Sequence, residues 1–330
     1  MSKILITGGA GFIGYFVAEK LSQNPENQIT VLDNLSRGCN DKEFETLCAK
    51  SNVTFVQGDL TSQATIDDIS RDYEYIYHLA ALVGVKNVKD APDRVLSVNI
   101  RSTLNLFEAA RSFYRLRKIF FSSTSEVYAG TFMHFAVGVP TSESVPLAVS
   151  DITSARSTYA ISKMCGESIC FSYGEKYQIP FVIGRYHNVY GPRMGWAHVI
   201  PEMYAKITNN AELTVTSPGH SRAFCYIDDA VEFTVRLTEH YQTEGEIFHI
   251  GNPTEEIRIK DLVKLIARVM NRQVFVETGR DMPGSPHRRC PDTAKAERRT
   301  GYRANIALEE GVKKTYQWYQ SRLDSYEEGR

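Results

Sequence analysis

MSKILITGGAGFIG, residues 1–14, decides how the rest of this chain reads. Lys3 to Thr7 is a short Ile- and Leu-rich run, the pattern of a buried parallel strand. It passes through Gly8, Gly11 and Gly14 into a helical pattern from Phe12 to Leu21. Strand, glycine loop and helix make a phosphate cradle. The glycines let the backbone turn tightly and approach a diphosphate. The free N–H groups and positive dipole end of the helix, at Phe12 and Ile13, face its charge. A second apolar run, Gln28 to Leu32, ends in Asp33, nineteen residues after Gly14. A dinucleotide site needs a carboxylate there for the adenosine ribose hydroxyls. That carboxylate repels a 2′-phosphate, so NAD is favoured over NADP. Arg37, in the polar turn Asn34-Leu35-Ser36-Arg37-Gly38, is the residue that could accept such a phosphate instead.

The 330 residues suffice for a large core and one or two domains. Lys plus Arg number 38 and Asp plus Glu 39, with no basic block. Neither nucleic acid nor an anionic membrane therefore has an electrostatic footprint. Cysteines at 39, 48, 165, 170, 225 and 290 form no C-x-x-C pair, and no His cluster accompanies them. They read as reduced, cytoplasmic thiols, and no metal site is expected. A strand starting at residue 3 is expected to leave no room for a signal peptide, and no apolar run is long enough to span a bilayer.

Further strands are expected at Val53 to Gln57, Tyr75 to Leu79, Lys118 to Phe121 and Pro180 to Gly184. Ala80-Ala81 are small residues at a strand end, where a ligand can lie against the backbone. Ser122-Ser123-Thr124-Ser125-Glu126 is a polar strand end, the place where ligands of an open parallel sheet sit. A capped polar turn is the plainer alternative. A helical pattern from Asp93 to Tyr114 is apolar on more than one face, which fits burial against both the sheet and a partner chain. A second, Thr158 to Gln178, holds Tyr159 and Lys163 on one face. An ammonium beside a phenol favours tyrosinate and lowers its pKa from about 10. Such a Tyr can take a proton from an alcohol near neutral pH. Tyr114 and Lys118 share the spacing but straddle a helix end and a strand start. Between the helices, Ala129 to Arg156 reads as a long irregular segment with Pro140, Pro146 and the apolar Phe132-Met133-His134-Phe135. A lid or subunit contact is expected there, with His134 packing rather than acting.

The alternation makes an α/β chain with a Rossmann-type doubly wound parallel sheet over residues 1–184. Beyond it the pattern changes. Arg185 to Pro192 is irregular, Val199 to Ile207 is a short helix, and Leu213 to Thr216, Ala223 to Ile227 and Ile247 to Gly251 read as strands. Asp228 to His240, Ile259 to Met270, Ala294 to Thr300 and Ala307 to Leu323 read as helices. Residues 185–330 are expected to form a smaller mixed α/β C-terminal substrate domain, with elements from about 223–251 returning to the sheet.

In their order, TGGAGFIG, Asp33, Gly58-Asp59-Leu60, His78-Leu79-Ala80-Ala81, the Ser/Thr strand end and Tyr159-Ala-Ile-Ser-Lys163 resemble the extended short-chain dehydrogenase/reductase family. The branch is that of the NAD-dependent nucleotide-sugar epimerases, dehydratases and decarboxylases. Asn188-Val189-Tyr190-Gly191-Pro192-Arg193, Arg222 with Phe224 to Asp229, and Arg288-Arg289-Cys290-Pro291-Asp292 are similar to that branch too. The resemblance implies NAD held by Gly8, Gly11, Phe12, Ile13 and Gly14, with Asp33 and Asn34 at the adenosine ribose and Ser36 and Arg37 in the same set. It implies Asp59 and Leu60 at the adenine, and Leu79, Ala80, Ala81, Asn99 and Ser122 along the remainder. Tyr159 would be the base, and Lys163 would hold the nicotinamide ribose and tune Tyr159. Thr124 would hydrogen-bond the reacting hydroxyl beside Ser125 and Glu126. Arg156, Asn188, Val199, Arg222 and Arg289 would hold a nucleotide-diphosphate sugar, the Arg fork being suited to phosphate and carboxylate. Members are homodimers joined by two helices per subunit, here Asp93 to Tyr114 and Thr158 to Gln178.

The implied chemistry starts with Tyr159 taking the sugar C4 hydroxyl proton while hydride passes to NAD. The resulting 4-ketone acidifies C5 and makes a C6 carboxylate a β-keto acid; hydride then returns. Dehydratases of the branch carry Asp-Glu after the Thr. Here the pair is Ser125-Glu126 and the acid is missing. Thr-Ser-Glu and Arg156 resemble UDP-glucuronate decarboxylases, with Arg156 and Arg289 holding a C6 carboxylate, yet 4-epimerases carry Thr-Ser-Glu as well. The residues leave 4-epimerisation and decarboxylation side by side, with elimination through Glu126 third. An NADPH-dependent carbonyl reductase is opposed by Asp33 and the Asn188, Arg222 and Arg289 set. A non-catalytic NAD sensor is opposed by the complete Thr, Tyr and Lys set.

Overall fold

A computed structural model describes residues 2–37, 40–209, 212–281 and 285–323; Gly38 and Cys39, which enter the sequence reading above, lie outside the described residues. The strands in chain order are β1 (Lys3–Thr7), β2 (Gln28–Asp33), β3 (Val53–Gln57), β4 (Tyr75–His78), β5 (Lys118–Thr124), β6 (Phe181–Tyr186) and β7 (Val189–Tyr190). They continue with β8 (Glu212–Val215), β9 (Ser221–Ala223), β10 (Cys225–Tyr226), β11 (Glu246–Ile250), β12 (Glu256–Arg258), β13 (Phe275–Thr278) and β14 (Arg288–Arg289). The helices are α1 (Phe12–Ser22), α2 (Lys42–Cys48), α3 (Gln63–Asp68), α4 (Val85–Asp90), α5 (Pro92–Ala110) and α6 (Ala129–His134). After them come α7 (Thr158–Tyr177), α8 (Val199–Asn209), α9 (Ile227–Glu239), α10 (Ile259–Val269), α11 (Ala294–Thr300) and α12 (Leu308–Gln320).

Seven strands form one sheet in the order β3-β2-β1-β4-β5-β6-β11, every neighbouring pair parallel. A strand turns successive side chains to opposite faces, so a strand apolar throughout feeds two cores. Ile4, Ile6, Phe120 and Val182 join Val17, Phe233 and Val231 on one face. Leu5, Ile119, Phe121 and Ile183 join Leu106, Phe107 and Cys170 on the other. Helices α1 and α9 pack together on the first face, and α5 and α7 on the second. Strand order reverses between β1 and β4, which opens a crevice at the strands' carboxyl ends. The remaining strands form three small sheets, β12-β9-β14, β13-β8 and β10-β7.

Three differences from the sequence reading have physical reasons. First, β5 runs on through Thr124 because its backbone ladder continues beside β6, Ser122 opposite Gly184 and Thr124 opposite Tyr186. Hydrophobicity marks the end of the apolar run and not the end of the ladder. Second, the segment 129–156 begins as helix α6 and ends in a 3-10 turn, Ala155–Ser157. Between them Thr141 is stitched to the C-terminal half, its N–H donating to Cys290 O (2.9 Å) and its carbonyl accepting from Asp292 N (2.8 Å). Third, Ala223 to Ile227 is not one strand: β9 ends at Ala223, β10 holds Cys225 and Tyr226, and Ile227 opens α9.

Candidate active site

The cradle is built as its glycines require, with a division of labour among them. Gly8 adopts φ +73°, and a Cβ there would stand 2.6 Å from Ala80 N. A Cβ on Gly14 would stand 2.2 Å from Gly8 O, so Gly8 and Gly14 let loop, helix and β4 end meet backbone to backbone. Gly11 is the N-cap of α1, has no capping side chain, and no acid lies in the first turn. The N–H groups of Phe12, Ile13 and Gly14 therefore have no partner inside the helix and end in an uncompensated positive dipole. This is the anion seat that a dinucleotide pyrophosphate fits.

Asp33 is 8% exposed and closes β2. Its carboxylate accepts from Ala10 N (3.1 Å) and Leu35 N (2.8 Å), tying the glycine loop to the turn after β2, and burial pushes its pKa up. Asn34 donates to Asp59 Oδ2 (3.0 Å) and accepts from Ser36 N, so Asn34, Ser36 and Asp59 cross-link two strand ends. Leu60 is buried below them, and its carbonyl accepts from Asn105. Leu79 N donates to Thr7 O, and Ala80 touches the Gly8 backbone. Ala81 leads on to Leu82, which Asn99 grips from both sides, accepting from Leu82 N (2.7 Å) and donating to Leu82 O (3.1 Å).

At the β5 end, Ser122 Oγ donates to His78 O (3.0 Å). Lys163 Nζ donates to Ser122 O (2.7 Å), and burial lowers the ammonium to about 8. Thr124 caps the 3-10 turn Ser125–Tyr128 by accepting from Glu126 N, and its side chain also hydrogen-bonds the Tyr159 side chain. Thr124 and Tyr159 thus meet at the carboxyl end of the sheet, α7 carrying the Tyr. The Tyr159 pKa is raised, by desolvation and then by the Glu126 charge, against Arg37 and the Thr124 hydrogen bond. That direction is opposite to the sequence expectation. Without ligands the phenol stays protonated, and the Lys163 ammonium is directed to the β5 backbone.

Arg289 NH1 meets Glu126 Oε1 at 2.5 Å and Ser125 Oγ at 3.4 Å, while its Nε is buried without a hydrogen-bond partner among the described residues. The Arg289 charge holds the Glu126 carboxyl below the usual carboxylate range against desolvation, and Arg156 and Arg222 add to the effect. Arg222 donates to Ser221 O and Ser285 Oγ, and burial with the Arg289 charge beside it lowers it to about 10. Arg289 and Arg222 stand opposite one another in the parallel β14–β9 pair. Arg289 on β14 thus pairs with the Glu126 carboxylate, and Arg222 on β9 and Arg156 in the turn entering α7 add their charge to its surroundings. Asn188, at φ +40°, commits its side-chain N–H to Ala223 O (3.0 Å), and Val199 opens α8 half-buried. The structure groups Thr124, Ser125, Glu126, Tyr159, Arg156, Arg222 and Arg289, and it leaves Asn188 and Val199 at the rim without a polar tie to that group among the described residues.

Sequence reasoning missed the support beneath this group. Arg185 on β6 pairs with Glu167 on α7, Nε to Oε1 at 2.8 Å and NH2 to Oε2 at 2.6 Å. Ser123 Oγ donates to the same carboxylate, one residue before Thr124. Glu167 lies one helical turn past Lys163, a spacing that marks a shared face. His134 is exposed, outside the core, and its imidazole hydrogen-bonds Ser150 O (3.4 Å). Lys118 is buried at the opposite end of β5 with His240 O and Thr243 Oγ1, which removes the Tyr114 and Lys118 pair from the chemistry.

A model of the NAD dependent epimerase/dehydratase family matches residues 4–251, and the chain belongs to that family. UDP-glucuronic acid decarboxylase 6 of Arabidopsis thaliana is 33% identical over 313 residues, 94% of this chain and 86% of the relative. UDP-N-acetyl-alpha-D-glucosaminuronate decarboxylase of Bacillus cytotoxicus is 30% identical over 331 residues, 96% of this chain and 97% of the relative. The solved structure of UDP-glucuronic acid 4-epimerase from Bacillus cereus, in complex with UDP-glucuronic acid and NAD, superposes with a TM-score of 0.83 at 26% identity, covering 97% of this chain and 99% of that one.

Proposed function

We propose that the protein is an NAD-dependent enzyme that oxidises C4 of a UDP-hexuronate and releases C6 as carbon dioxide. The observation that carries this reading is the pair of guanidiniums, Arg222 and Arg289, set opposite one another beside the Glu126 carboxylate. A cleft with that excess of cation suits a substrate that carries a carboxylate as well as a diphosphate. The relatives support the same substrate class, two being uronate decarboxylases and one a uronate epimerase.

The bound cofactor supplies hydride acceptance from C4 and hydride return. The residues do the rest. Thr124 and Tyr159 place two neighbouring hydroxyls that a C4 hydroxyl can reach together, and Tyr159 Oη takes its proton. With a ketone at C4, the C6 carboxylate is β to a carbonyl. The C5–C6 bond then breaks, its electron pair passes into the C4–C5 enolate, and C5 takes a proton. Tyr159 returns its proton to the C4 oxygen as the ketone is reduced. Glu126, held ionised by Arg289, acts as an acceptor. It is not the acid that expulsion of a C6 hydroxyl requires, which argues against 4,6-dehydration.

The reading has a direct test. The protein, NAD and, in turn, UDP-glucuronate, UDP-N-acetylglucosaminuronate and UDP-glucose are incubated and read by mass spectrometry. Loss of carbon dioxide from a uronate is expected. Unchanged mass with inverted C4 would make it an epimerase, and turnover of UDP-glucose alone would sink the uronate reading.

The domain division is part of the proposal: the nucleotide sugar lies mainly against residues 185–330 and the dinucleotide against 1–184. So is a homodimer, supported by Leu104 on α5 and Phe171 on α7, which are apolar and exposed on helices that pack together. Light scattering at micromolar concentration should give twice the chain mass of 37.3 kDa, and a monomer mass would refute it. No helix among the described residues is long and apolar enough to cross a membrane. A reducing compartment such as the cytoplasm is proposed on the five free cysteines among the described residues.

A further inference from the structure

We propose that His220, Asp281 and His287 form a binding site for a divalent transition metal of the zinc class, outside the catalytic cleft. Among the described residues these three side chains bring one ligand atom each to within 4.8 Å of one another. Sequence alone leads to the expectation of no metal, because metal sites are recognised there by close ligand spacing. His220 and His287 are 67 residues apart, and only the fold joins them.

The frame that holds them is rigid where it needs to be. His220 precedes β9 and is 2% exposed. On one side, Gly279 N donates to Val215 O and Ser217 N to Arg280 O, which sets Asp281 beside the loop of His220. On the other, Ser221 N donates to His287 O at 2.9 Å, which sets His287 at the entrance of β14. Ile259 N donates to His220 O and Lys260 N to Pro218 O, pinning the same loop from beneath. The two imidazoles lie with ring centroids 4.4 Å apart, and His220 Nε2 is 3.7 Å from Asp281 Oδ1.

That last distance is too long for a hydrogen bond. His220 Nδ1 is buried and also has no hydrogen-bond partner among the described residues. A buried ring nitrogen without a partner costs free energy, and native proteins leave few such atoms. The ring thus makes no side-chain hydrogen bond among the described residues and is open to a metal held with Asp281 and His287. Ligand atoms on a tetrahedral zinc stand about 3.3 Å apart, from metal–ligand bonds of about 2.0 Å. His287 and Asp281 are exposed, so turning them inward by about an ångström displaces no packed neighbour. The cost is the positive charge of nearby Arg222, which offsets part of the attraction of the single carboxylate.

The donor set chooses the metal. Two imidazoles and one carboxylate suit zinc and its first-row neighbours, whereas calcium and magnesium take all-oxygen shells. Three protein ligands leave a position open to water. The bound metal would tie the entrance of β9 to the entrance of β14, and Arg222 and Arg289 lie two residues beyond their respective histidines.

The test reads metal and not turnover, so it stands apart from the proposed reaction. The full-length protein is equilibrated with zinc chloride, freed of unbound metal and assayed by elemental analysis, and cobalt(II) is titrated separately to read its visible absorption. His287→Ala and Asp281→Asn change exposed side chains, and circular dichroism checks that both remain folded. The expected result is about one zinc per wild-type chain, affinity lowered about 100-fold or more in each variant, and a zinc-dependent rise in unfolding midpoint in the wild type alone. Wild-type protein that binds well under one equivalent, or variants that bind as the wild type does, would overturn the proposal.

Discussion

Replacing Tyr159 by Phe should lower turnover of the nucleotide sugar by about 10²- to 10⁴-fold, the range that removal of a positioned acid–base group costs. Binding of the sugar nucleotide and the unfolding midpoint should stay close to wild type. The substitution removes one oxygen from a half-buried ring whose hydroxyl hydrogen-bonds the Thr124 side chain. No buried carboxylate or guanidinium loses its partner by it. Burial and the Glu126 charge hold the phenol protonated in the ligand-free protein, so it becomes a base only when cationic charge gathers beside it. Arg37 is the cation of the chain that already acts on the phenol, while Lys163 is held on Ser122 O. Thr124→Val should therefore act in the same direction with a smaller loss, about tenfold, through the hydrogen bond to the phenol and the C4 hydroxyl. Initial rates at saturating UDP-uronate and NAD, with sugar-nucleotide affinity measured by calorimetry, separate these effects. A Tyr159→Phe enzyme within about threefold of wild type would remove Tyr159 from the chemistry.

The roles in that prediction rest on features legible in the amino-acid sequence alone. The strand, glycine loop and helix of residues 3–22 follow from an apolar run, three glycines and a 3.6-residue period, and the sheet forms as that pattern implies. Tyr159 and Lys163 are legible because helix geometry converts a spacing of four into a shared face. The features that sequence does not show are set by backbone ladders or by contacts between distant parts. Two- and three-residue strands such as β9, β10 and β14 carry no periodicity to read, and they place Arg222 and Arg289 by register alone. Segment 129–156 reads as structureless because prolines and small polar residues carry no hydrophobic period. Its path is fixed by Thr141 on Cys290 and Asp292 and by Thr131 on Pro146 O. The Tyr159 shift takes the opposite sign from the sequence expectation for a related reason. Spacing shows which charge is near in the chain, whereas desolvation depends on everything folded around the group.

Removing Arg185 or Glu167 alone should destabilise the protein by about 3–5 kcal/mol, the cost of leaving one member of a buried ion pair uncompensated. Both are nearly inaccessible, Arg185 at 2% and Glu167 at 5%. Arg185 also donates to Tyr128 Oη (2.5 Å) and Glu143 O (3.2 Å), and Tyr128 Oη lies 2.6 Å from His249 Nε2. The pair thus joins α7, β6, β11 and the 135–154 segment beside the end of β5. In Arg185→Met, Glu167 keeps the Ser123 hydroxyl and the more distant Lys163 charge, and a buried carboxylate loses its paired cation. In Glu167→Met, the guanidinium keeps Tyr128 Oη and the Glu143 carbonyl but loses its counter-charge. The double variant replaces the pair with apolar volume, so its loss should be well below the sum of the singles. Urea unfolding midpoints of the four proteins measure the coupling. Activity carries a second signature. Ser123 is held by Glu167 and precedes Thr124, so both singles should lose turnover in folded protein, and a Tyr159→Phe background should mask that loss. Single variants within about 1 kcal/mol of wild type would show that water or a relaxed backbone replaces the pair, and that Thr124 keeps its place without it.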